Sequence, residues 1–228
     1  MIAVLISANS EWQATLEVLD PANCLPNPYT EHFFSEVAGH PVVFLHGGWG
    51  KISAAATTQY CIDTWHPGAI INLGTCGSLA GAINVGETLL ANETVSYDIY
   101  ERMSNPEEAI HFYTTTLDLS FIRQPYPQTV RVGRLASADQ DIDPKLVPIL
   151  RKEFQVAAAD WESGAIAWVA QHNATPCLIL RTVSDVVSES GGEIYFDDAK
   201  QFDGRSRDIM RKLLEKLPEW IEHIKLED

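Results

Sequence analysis

Apolar runs that alternate with amphipathic segments constrain the fold of this chain more than any other sequence feature. Runs rich in valine, isoleucine and leucine predict strands at residues 2–7, 42–46, 69–74, 87–95, 130–137 and 177–184. Helical periodicity predicts helices at residues 10–19, 51–65, 144–154, 162–172 and 204–224. The alternation indicates an α/β fold, with a central, mostly parallel mixed sheet flanked by helices as an α-β-α sandwich. Ligands of such sheets bind beyond the carboxyl ends of the strands.

The length and composition of the chain favour one domain. A chain of 228 residues can form one α/β domain with a full core, and we expect residues 1–228 to be a single domain. Apolar residues make up 46% of the chain and charged residues 21%, which is typical of a folded soluble protein. Residues 97–128 are the least regular part and predict a long surface excursion. Such loops are often lids or partner contacts, and a passive insertion is an equal alternative.

The acidic balance of the chain excludes several classes of partner. A net charge of −15 would repel a nucleic-acid backbone and the anionic face of a membrane, so we expect neither as a partner. No apolar stretch approaches the roughly 20 residues of a membrane span. The cysteines stand far apart without CxxC spacing, which suits reduced thiols in the cytoplasm. The histidines lack HExxH or close HxH spacing, so we expect no metal and no cofactor.

Small residues and carboxylates follow the predicted strands. Residues 74–78 read GTCGS, Glu162 opens a predicted helix, and Asp185 follows a strand. Taken singly, Asp185 fits a turn or an N-cap, and Glu162 fits a first-turn charge that complements the helix dipole. Because parallel strands end at the same edge of a sheet, their combination indicates a ligand site. The glycine runs match neither GxxxxGK[ST] nor GxGxxG, so they do not support a nucleoside triphosphate or a dinucleotide.

Three blocks of the sequence resemble the signature blocks of the nucleoside phosphorylase and nucleosidase superfamily, in the same order and at similar spacing. They are GGWGKISAAATTQYCI, AIINLGTCGSLAGAINVGETLLANETVSYD and DWESGAIAWVAQHNATPCLILRTVSD. The resemblance implies that Glu162 hydrogen-bonds the 2′ and 3′ hydroxyls of a ribose and that Asp185 faces N7 of a purine. The other residues that would line the pocket are Thr75, Cys76, Gly77 and Ser184.

Both carboxylates fit the cleavage of an N-glycosidic bond. Electrons move onto the departing base while the sugar becomes oxocarbenium-like. An acid at N7 and a carboxylate on the sugar hydroxyls therefore both stabilise the transition state. Asp185 must hold a proton near neutral pH to act as this acid. We therefore expect burial to raise the pKa of Asp185 above its ordinary value of about 3.9.

The nucleophile separates the branches of this superfamily. Phosphorylases carry a GDPxR-like turn after the first strand and an arginine just ahead of the GTCG-like block, and both hold phosphate. This chain has SANSEWQ and Asn72 in those places, which favours water as the nucleophile. The nucleosidase branch has a water-activating glutamate after the first strand. An ungapped comparison puts Trp12 there, but a turn shorter by one residue would restore Glu11 as the base, which we predict. The alternative is an ordinary first-turn glutamate behind a Ser10 cap.

The resemblance to the 5′-methylthioadenosine and S-adenosylhomocysteine nucleosidase branch implies a purine nucleosidase that acts on a 5′-substituted adenosine. Trp161 stands where these nucleosidases have methionine and offers a larger surface to the sugar or a 5′ substituent. Trp49 replaces a smaller aliphatic residue near the nucleophile. Asp141, with Ile142 beside it, stands where they have a phenylalanine that stacks on adenine. These departures leave a different purine, such as that of a futalosine-type nucleoside, open.

Two alternatives to hydrolysis remain at this point. A phosphorylase would need an arginine from elsewhere in the chain, such as Arg102 in the irregular segment. A binding module would keep the nucleoside pocket without turnover. Related nucleosidases are dimers, so the resemblance also implies a homodimer.

Overall fold

The computed structural model of this protein describes residues 1–192 and 199–226. The single domain predicted for residues 1–228 therefore lies partly outside the described residues. The strands are β1 (Ile2–Ile6), β2 (Leu25–Pro26), β3 (Glu31–Val37), β4 (His40–His46), β5 (Ala69–Leu79), β6 (Thr88–Ser96), β7 (Thr114–Thr116), β8 (Arg131–Ser137), β9 (Ala158–Asp160), β10 (Cys177–Ser188) and β11 (Gly191–Gly192). The helices are α1 (Asn9–Leu19), α2 (Gly50–Trp65), α3 (Pro106–Phe112), α4 (Val147–Lys152), α5 (Ser163–His172) and α6 (Ala199–His223), and a 3-10 turn at Pro144–Leu146 precedes α4.

The sheet is mixed, with parallel strands at its centre. β1 pairs in parallel with β4 on one side and with β5 on the other, and β5 pairs in parallel with β10. Beyond β4 the strands β3 and β2 continue the sheet in antiparallel pairings. Within the described residues the sheet has 11 strands in the order β11-β10-β6-β8-β9-β5-β1-β4-β3-β2, and β7 pairs with β6.

Part of this sheet closes on itself. β5 pairs with β10 along most of its length and with β9 at its carboxyl end. Because β10, β6, β8 and β9 are also paired in turn, these strands and β5 form a closed ring. The ring brings the carboxyl ends of β5 and β8 close to the segment between β9 and α5. The mixed sheet flanked by helices is confirmed, and the closure of part of it into a ring was not predicted.

Helices cover the two faces of the sheet. On one face, Trp12 of α1 and Trp220 of α6 are buried in the same cluster as Leu180 of β10. On the other face, α2 and α5 pack on the sheet in a cluster that includes Ile179 and Val183 of β10. Since successive side chains of a strand point to opposite faces, Arg181 lies on the face that α2 and α5 cover. No helix in the described ranges has the length and apolar character needed to cross a membrane.

The predicted strands and helices are present, with shifts at their ends. β5 and β10 extend beyond their predicted ends, to Leu79 and Ser188. The structure also contains β2, β3, β7, β9 and β11, which were not predicted. Residues 97–128, the part predicted to be least regular, contain the short elements α3 and β7.

Candidate active site

The paired carboxyl ends of β5 and β10 form the floor of the site. Their parallel register sets Arg181 opposite Gly74 and Asp185 opposite Gly77. The register shifts between Val183 and Asp185, which is a β-bulge at Ser184. A bulge re-aims the side chains that follow it. The bulge therefore allows Asp185 to lie across from Gly77.

Glu11 enters this floor from the first turn of α1. Its Oε1 accepts hydrogen bonds from the backbone N–H of Thr75 at 2.6 Å and from the Thr75 hydroxyl at 2.7 Å. Glu11 is the third residue of α1, and its Oε2 accepts a hydrogen bond from the backbone N–H of Ala8 at 3.4 Å. The neighbouring Trp12 points into the core, where its indole stacks on His46 and donates to Glu31. The structure therefore places Glu11, and not Trp12, beside Thr75 of β5.

A buried arginine connects the carboxylates of the site. Arg181 is 1% exposed, and its Nε lies 2.9 Å from Asp160 Oδ2. Its Nη1 is 3.9 Å from Glu11 Oε2, and its Nη2 is 3.9 Å from Glu162 Oε2. Nη2 also donates to Asn72 Oδ1 at 2.8 Å. Three carboxyl groups thus surround one guanidinium, so its positive charge is already matched before any ligand enters.

Close backbone approach makes this arrangement possible. A Cβ on Gly74 would overlap Arg181 Nη1 and would lie 2.8 Å from Glu11 Oε2. Only glycine leaves room for both charged groups at this point of β5. The packing of Arg181 against β5 therefore requires glycine at position 74, the first residue of the GTCG-like block.

Glu162 lies at the start of α5, as its N-cap residue. Its Oε1 accepts a hydrogen bond from the N–H of Gly50 at 3.1 Å, which ties it to the start of α2. Burial raises the pKa of Glu162 to about 8; Arg181 and the Gly50 N–H oppose this rise, and the nearby carboxylates of Asp160 and Glu11 add to it. Glu162 is therefore a buried acid that retains a proton near neutral pH.

Asp185 marks the other end of the site. It is buried, and its Oδ1 accepts a hydrogen bond from the Ser184 hydroxyl at 2.6 Å. A Cβ on Gly77 would lie 2.9 Å from Ile142 Cδ1 and 3.7 Å from Asp185 Oδ2. Gly77, Ile142 and Asp185 therefore border the same space. Asp141 is exposed, so Ile142 and not Asp141 supplies the side chain that packs here.

Cys76 lies between these groups but is chemically inert. It is buried in the cluster that α2 and α5 cover, and its carbonyl lies 3.2 Å from the Ser184 hydroxyl. Burial raises the pKa of the Cys76 thiol, and the surrounding carboxylates of Asp160, Asp185 and Glu11 act in the same direction. The thiol is therefore protonated and lines the site without being a nucleophile.

Two tryptophans lie beside Glu162. Trp49 is the N-cap residue of α2 and Trp161 directly precedes Glu162. Their ring centroids are 5.3 Å apart and their planes are tilted by 34°. Trp49 is 68% exposed, so the pair reaches from the buried carboxylate to the solvent.

The start of α2 is held by a separate acid cluster. The N–H of Lys51 donates to Asp139 Oδ1 at 2.7 Å, and the ammonium of Lys51 contacts Asp98. The N–H of Asp139 in turn donates to Asp98 Oδ2 at 3.0 Å. These contacts fix the turn that presents the Gly50 N–H to Glu162.

The sequence analysis did not identify Arg181 and Asp160 as parts of the site. An arginine inside the apolar run CLILRTVS was the available signal, because a charge in a buried strand requires partners. Arg102, the arginine suggested for a phosphate site, is exposed, and its guanidinium lies 4.7 Å from the centre of the Tyr100 ring. The structure therefore does not support Arg102 as a buried phosphate ligand.

Comparison with known proteins agrees with this geometry. The family model of the phosphorylase superfamily matches residues 5–218. The chain belongs to the phosphorylase superfamily. A member from Geobacillus sp., a 5′-methylthioadenosine/S-adenosylhomocysteine nucleosidase, is 28% identical over 211 residues, which cover 86% of this chain and 87% of that protein.

Solved structures of two hydrolases share the fold. A 5′-methylthioadenosine/S-adenosylhomocysteine nucleosidase from Campylobacter jejuni superimposes with a TM-score of 0.80 at 20% identity, covering 97% of this chain and 98% of its own. A futalosine hydrolase from Helicobacter pylori also gives a TM-score of 0.80 at 20% identity, covering 98% and 97%. Hydrolases named for different nucleosides therefore have the same fold as this chain.

Proposed function

We propose that this protein is a purine nucleosidase that hydrolyses the N-glycosidic bond of a 5′-substituted adenosine, such as 5′-methylthioadenosine or S-adenosylhomocysteine. The related proteins named as nucleosidases for these compounds support this substrate class. The observation that carries the proposal is the buried Glu11 carboxylate, which is held by Thr75 and lies 3.9 Å from Arg181. A water molecule beside Glu11 would face the anomeric carbon of a ribose bound at Glu162.

In the proposed reaction the bond between C1′ of the sugar and N9 of the base breaks, and a bond between C1′ and the water oxygen forms. Glu11 accepts a proton from the attacking water. Asp185 gives its proton to N7, so that the base leaves as a neutral purine. Glu162 hydrogen-bonds the sugar hydroxyls. The products are the free base and a 5′-substituted ribose.

The remaining substrate-binding residues are assigned by their position. Gly77 and Ile142 border the space at Asp185, where the base would lie. Ser184 donates to Asp185 and orients it. Thr75 hydrogen-bonds Glu11, and Cys76 lines the floor between Thr75 and Gly77. Trp49 and Trp161 lie on the sugar side, beside Glu162. The raised pKa expected for Asp185 stays a prediction.

The charge of the site disfavours phosphate as the nucleophile. Arg181 is the buried cation in the described part of the site, and Asp160, Glu11 and Glu162 surround it. A phosphate dianion beside Arg181 would also lie beside these acids, and its repulsion from their carboxylates costs Coulomb energy at low dielectric. Water carries no such cost. The same pattern supports a hydrolase over a phosphorylase.

The test is an assay of the purified protein with 5′-methylthioadenosine, S-adenosylhomocysteine, adenosine and inosine, with and without phosphate. We expect free purine and free sugar without phosphate. Asp185→Asn and Glu11→Gln should each lower kcat by about 100-fold or more. Asp143→Asn, in an exposed turn, serves as the control. Sugar 1-phosphate that forms only with phosphate would indicate a phosphorylase, and saturable binding without base release would indicate a binding module.

We also propose the quaternary state, the location and the extent of the domain. A homodimer is supported by exposed apolar side chains on and beside α2 and in the segment before α3, which are Ile52, Tyr100 and Met103. A cytoplasmic location is supported by cysteines that form no disulfide in the described residues. The family match to residues 5–218 supports one domain that spans residues 1–228.

A further inference from the structure

A second cavity lies on the opposite face of β10 from the candidate active site. This space, the α6 cavity, has a volume of about 350 Å³, and its lining includes Leu213 of α6 and Thr182 of β10. Leu213 packs in the same cluster as Leu180, which lies two residues before Thr182. Because alternate side chains of a strand point to the same face, Thr182 faces α6 and the intervening Arg181 faces the active site. Cavities of this size hold small organic ligands.

The polar side chains of the α6 cavity can donate hydrogen bonds to a ligand. The hydroxyls of Thr88 and Thr182 lie 2.8 Å apart, and only one of them can donate in that contact. The second O–H can therefore donate to a ligand. Gln128 also lines the cavity, and its Nε2 is buried with no hydrogen-bond partner among the described residues. A buried N–H group of this kind normally has an acceptor, which a bound ligand would supply.

Two cations stand at the α6 cavity, in a chain whose net charge is −15. They are Lys212 of α6 and Arg131, the first residue of β8. Arg131 donates from Nη2 to the carbonyl of Ala82 at 2.9 Å, and its guanidinium has further N–H groups for a ligand. Lys216, one turn further along α6, is paired with Glu219, whereas Lys212 forms no salt bridge in the described part of the chain.

Glu87 brings a carboxylate to the same lining. Its Oε2 accepts hydrogen bonds from the backbone N–H of Asn84 at 2.8 Å and from the Asn84 side-chain amide at 2.7 Å. These bonds tie the carboxylate to the turn before β6 rather than to Lys212 or Arg131. The donors and cations of the α6 cavity therefore favour an anionic ligand with several acceptor oxygens.

We propose that the α6 cavity binds the phosphate group of a small phosphate monoester. The three acceptor oxygens of a phosphate match the available threonine hydroxyl, the Gln128 amide and the Lys212 ammonium, and lysine is a common point charge for phosphate. Val130 and Leu213 add apolar surface for the organic part of the ligand. Such binding is independent of the proposed function, because the α6 cavity shares no lining residue with the candidate active site.

Calorimetric titration of the purified protein with glycerol 3-phosphate tests this site. Glycerol is the uncharged comparison ligand and succinate is the carboxylate comparison ligand. We expect saturable binding of glycerol 3-phosphate alone. Its Kd should rise about 10-fold or more in Lys212→Gln and in Thr182→Val, because each variant weakens or removes a hydrogen bond to a charged group.

The matched control is Lys216→Gln, which removes the same charge from α6 at a residue outside the cavity lining. It should keep the Kd of the unmodified protein. Lys212 is exposed, so Lys212→Gln tests the site even if Thr182→Val fails to fold. Base release by Lys212→Gln should equal that of the unmodified protein, and a loss of release would contradict the separation of the cavity from the active site.

The binding data can overturn the inference in several ways. Glycerol 3-phosphate that does not bind saturably, or that keeps its Kd in Lys212→Gln, would show that the α6 cavity is not its site. An equal rise of Kd in Lys212→Gln and Lys216→Gln would show that the overall charge of α6, and not the cavity, attracts the anion. Succinate that binds as tightly as glycerol 3-phosphate would rule out recognition of phosphate.

Discussion

Gly74 is a residue whose replacement would directly disturb the buried charges of the site. Its missing Cβ leaves room for Arg181 Nη1 and for Glu11 Oε2. In Gly74→Ala one of these groups must move, which separates a buried cation from its carboxylates. We expect a loss of about 3 kcal/mol or more in the free energy of unfolding, together with loss of base release.

Urea unfolding and the base-release assay measure the two effects. Gly204→Ala is the matched control, because a Cβ at Gly204 in α6 meets no atom within 4 Å. Alanine in a helix should be neutral or stabilising by about 0.5–1 kcal/mol. Equal stabilities of the two variants would contradict the packing described for Gly74.

Glu162 predicts a dependence of stability on pH. Folding raises its pKa from 4.5 to about 8, so the folded protein binds this proton more tightly than the unfolded chain. The resulting stabilisation is fully present below about pH 4.5 and is lost as the pH rises to about 8. The free energy of unfolding of the unmodified protein, relative to Glu162→Gln, should therefore fall over that range. Urea titrations at several pH values measure it, with Glu36→Gln at an exposed site as the control. A difference that is constant with pH would rule out the raised pKa.

The residues of the site could be predicted only in part from the sequence. Glu162, Asp185 and the GTCGS segment were predicted because they follow the predicted strands and match the blocks of a known superfamily. Asp160 and Arg181 were not, because their role depends on contacts between β9, β10 and α5 that no local pattern encodes. The prediction of Glu11 as the base depended on the assumed length of one turn. The hydrogen bond from Thr75 to Glu11 distinguishes Glu11 from Trp12.

At the scale of elements, the position of α2 depends on the acid that accepts its N-terminal N–H groups. Asp139 accepts from the N–H of Lys51 at 2.7 Å, and the preceding Gly50 N–H holds Glu162. Asp139→Asn keeps the shape of the side chain but removes its charge. The hydrogen bond that it accepts from the Lys51 N–H at the start of α2 is therefore weaker. We expect KM to rise about 3- to 10-fold, which corresponds to about 1 kcal/mol, with a smaller change in kcat.

The matched control for this change lies in the same loop. Asp143 makes the same kind of contact, from its Oδ1 to the N–H of Lys145 at 2.9 Å, at the exposed 3-10 turn. Asp143→Asn should change stability slightly and leave KM as it is. If both variants raise KM equally, Asp139 acts on the loop as a whole and not on α2.

The strands and helices that are long and buried could be predicted from the periodicity of the sequence. β5 and β10 were predicted because they are continuous apolar runs. β3 was missed because its sequence EHFFSEV is half polar, as expected of a strand near the edge of the sheet. β9 has three residues, too few for a periodic signal, although it completes the ring by pairing with β5 and β8. The closure of the ring is a property of pairing and could not be predicted from single elements.

For the whole molecule, the proposed homodimer gives a prediction of mass in solution. The exposed fractions of Ile52 and Met103 are 85% and 97%, and Lys51, next to Ile52, contacts Asp98 at the start of the segment that carries Met103. Light scattering after size exclusion should give twice the chain mass of 25.3 kDa. Ile52→Glu combined with Met103→Glu should give the single-chain mass, because a carboxylate on each side of the interface would be desolvated.

A control distinguishes this surface from other exposed apolar positions. Val85 is 46% exposed and lies in the turn before β6, so Val85→Glu should leave the mass unchanged. A single-chain mass for the unmodified protein would contradict the dimer, and a dimer that survives the double variant would place the interface elsewhere.

The single arginine that balances three buried acids also sets an order of events during synthesis. Glu11, Asp160 and Glu162 all leave the ribosome before Arg181, because β10 follows them in the chain. Until β10 joins the ring, a nascent chain holds these acids without their buried counter-ion, so they must stay hydrated or protonated. The floor of the site can therefore close only as one of the last events of folding.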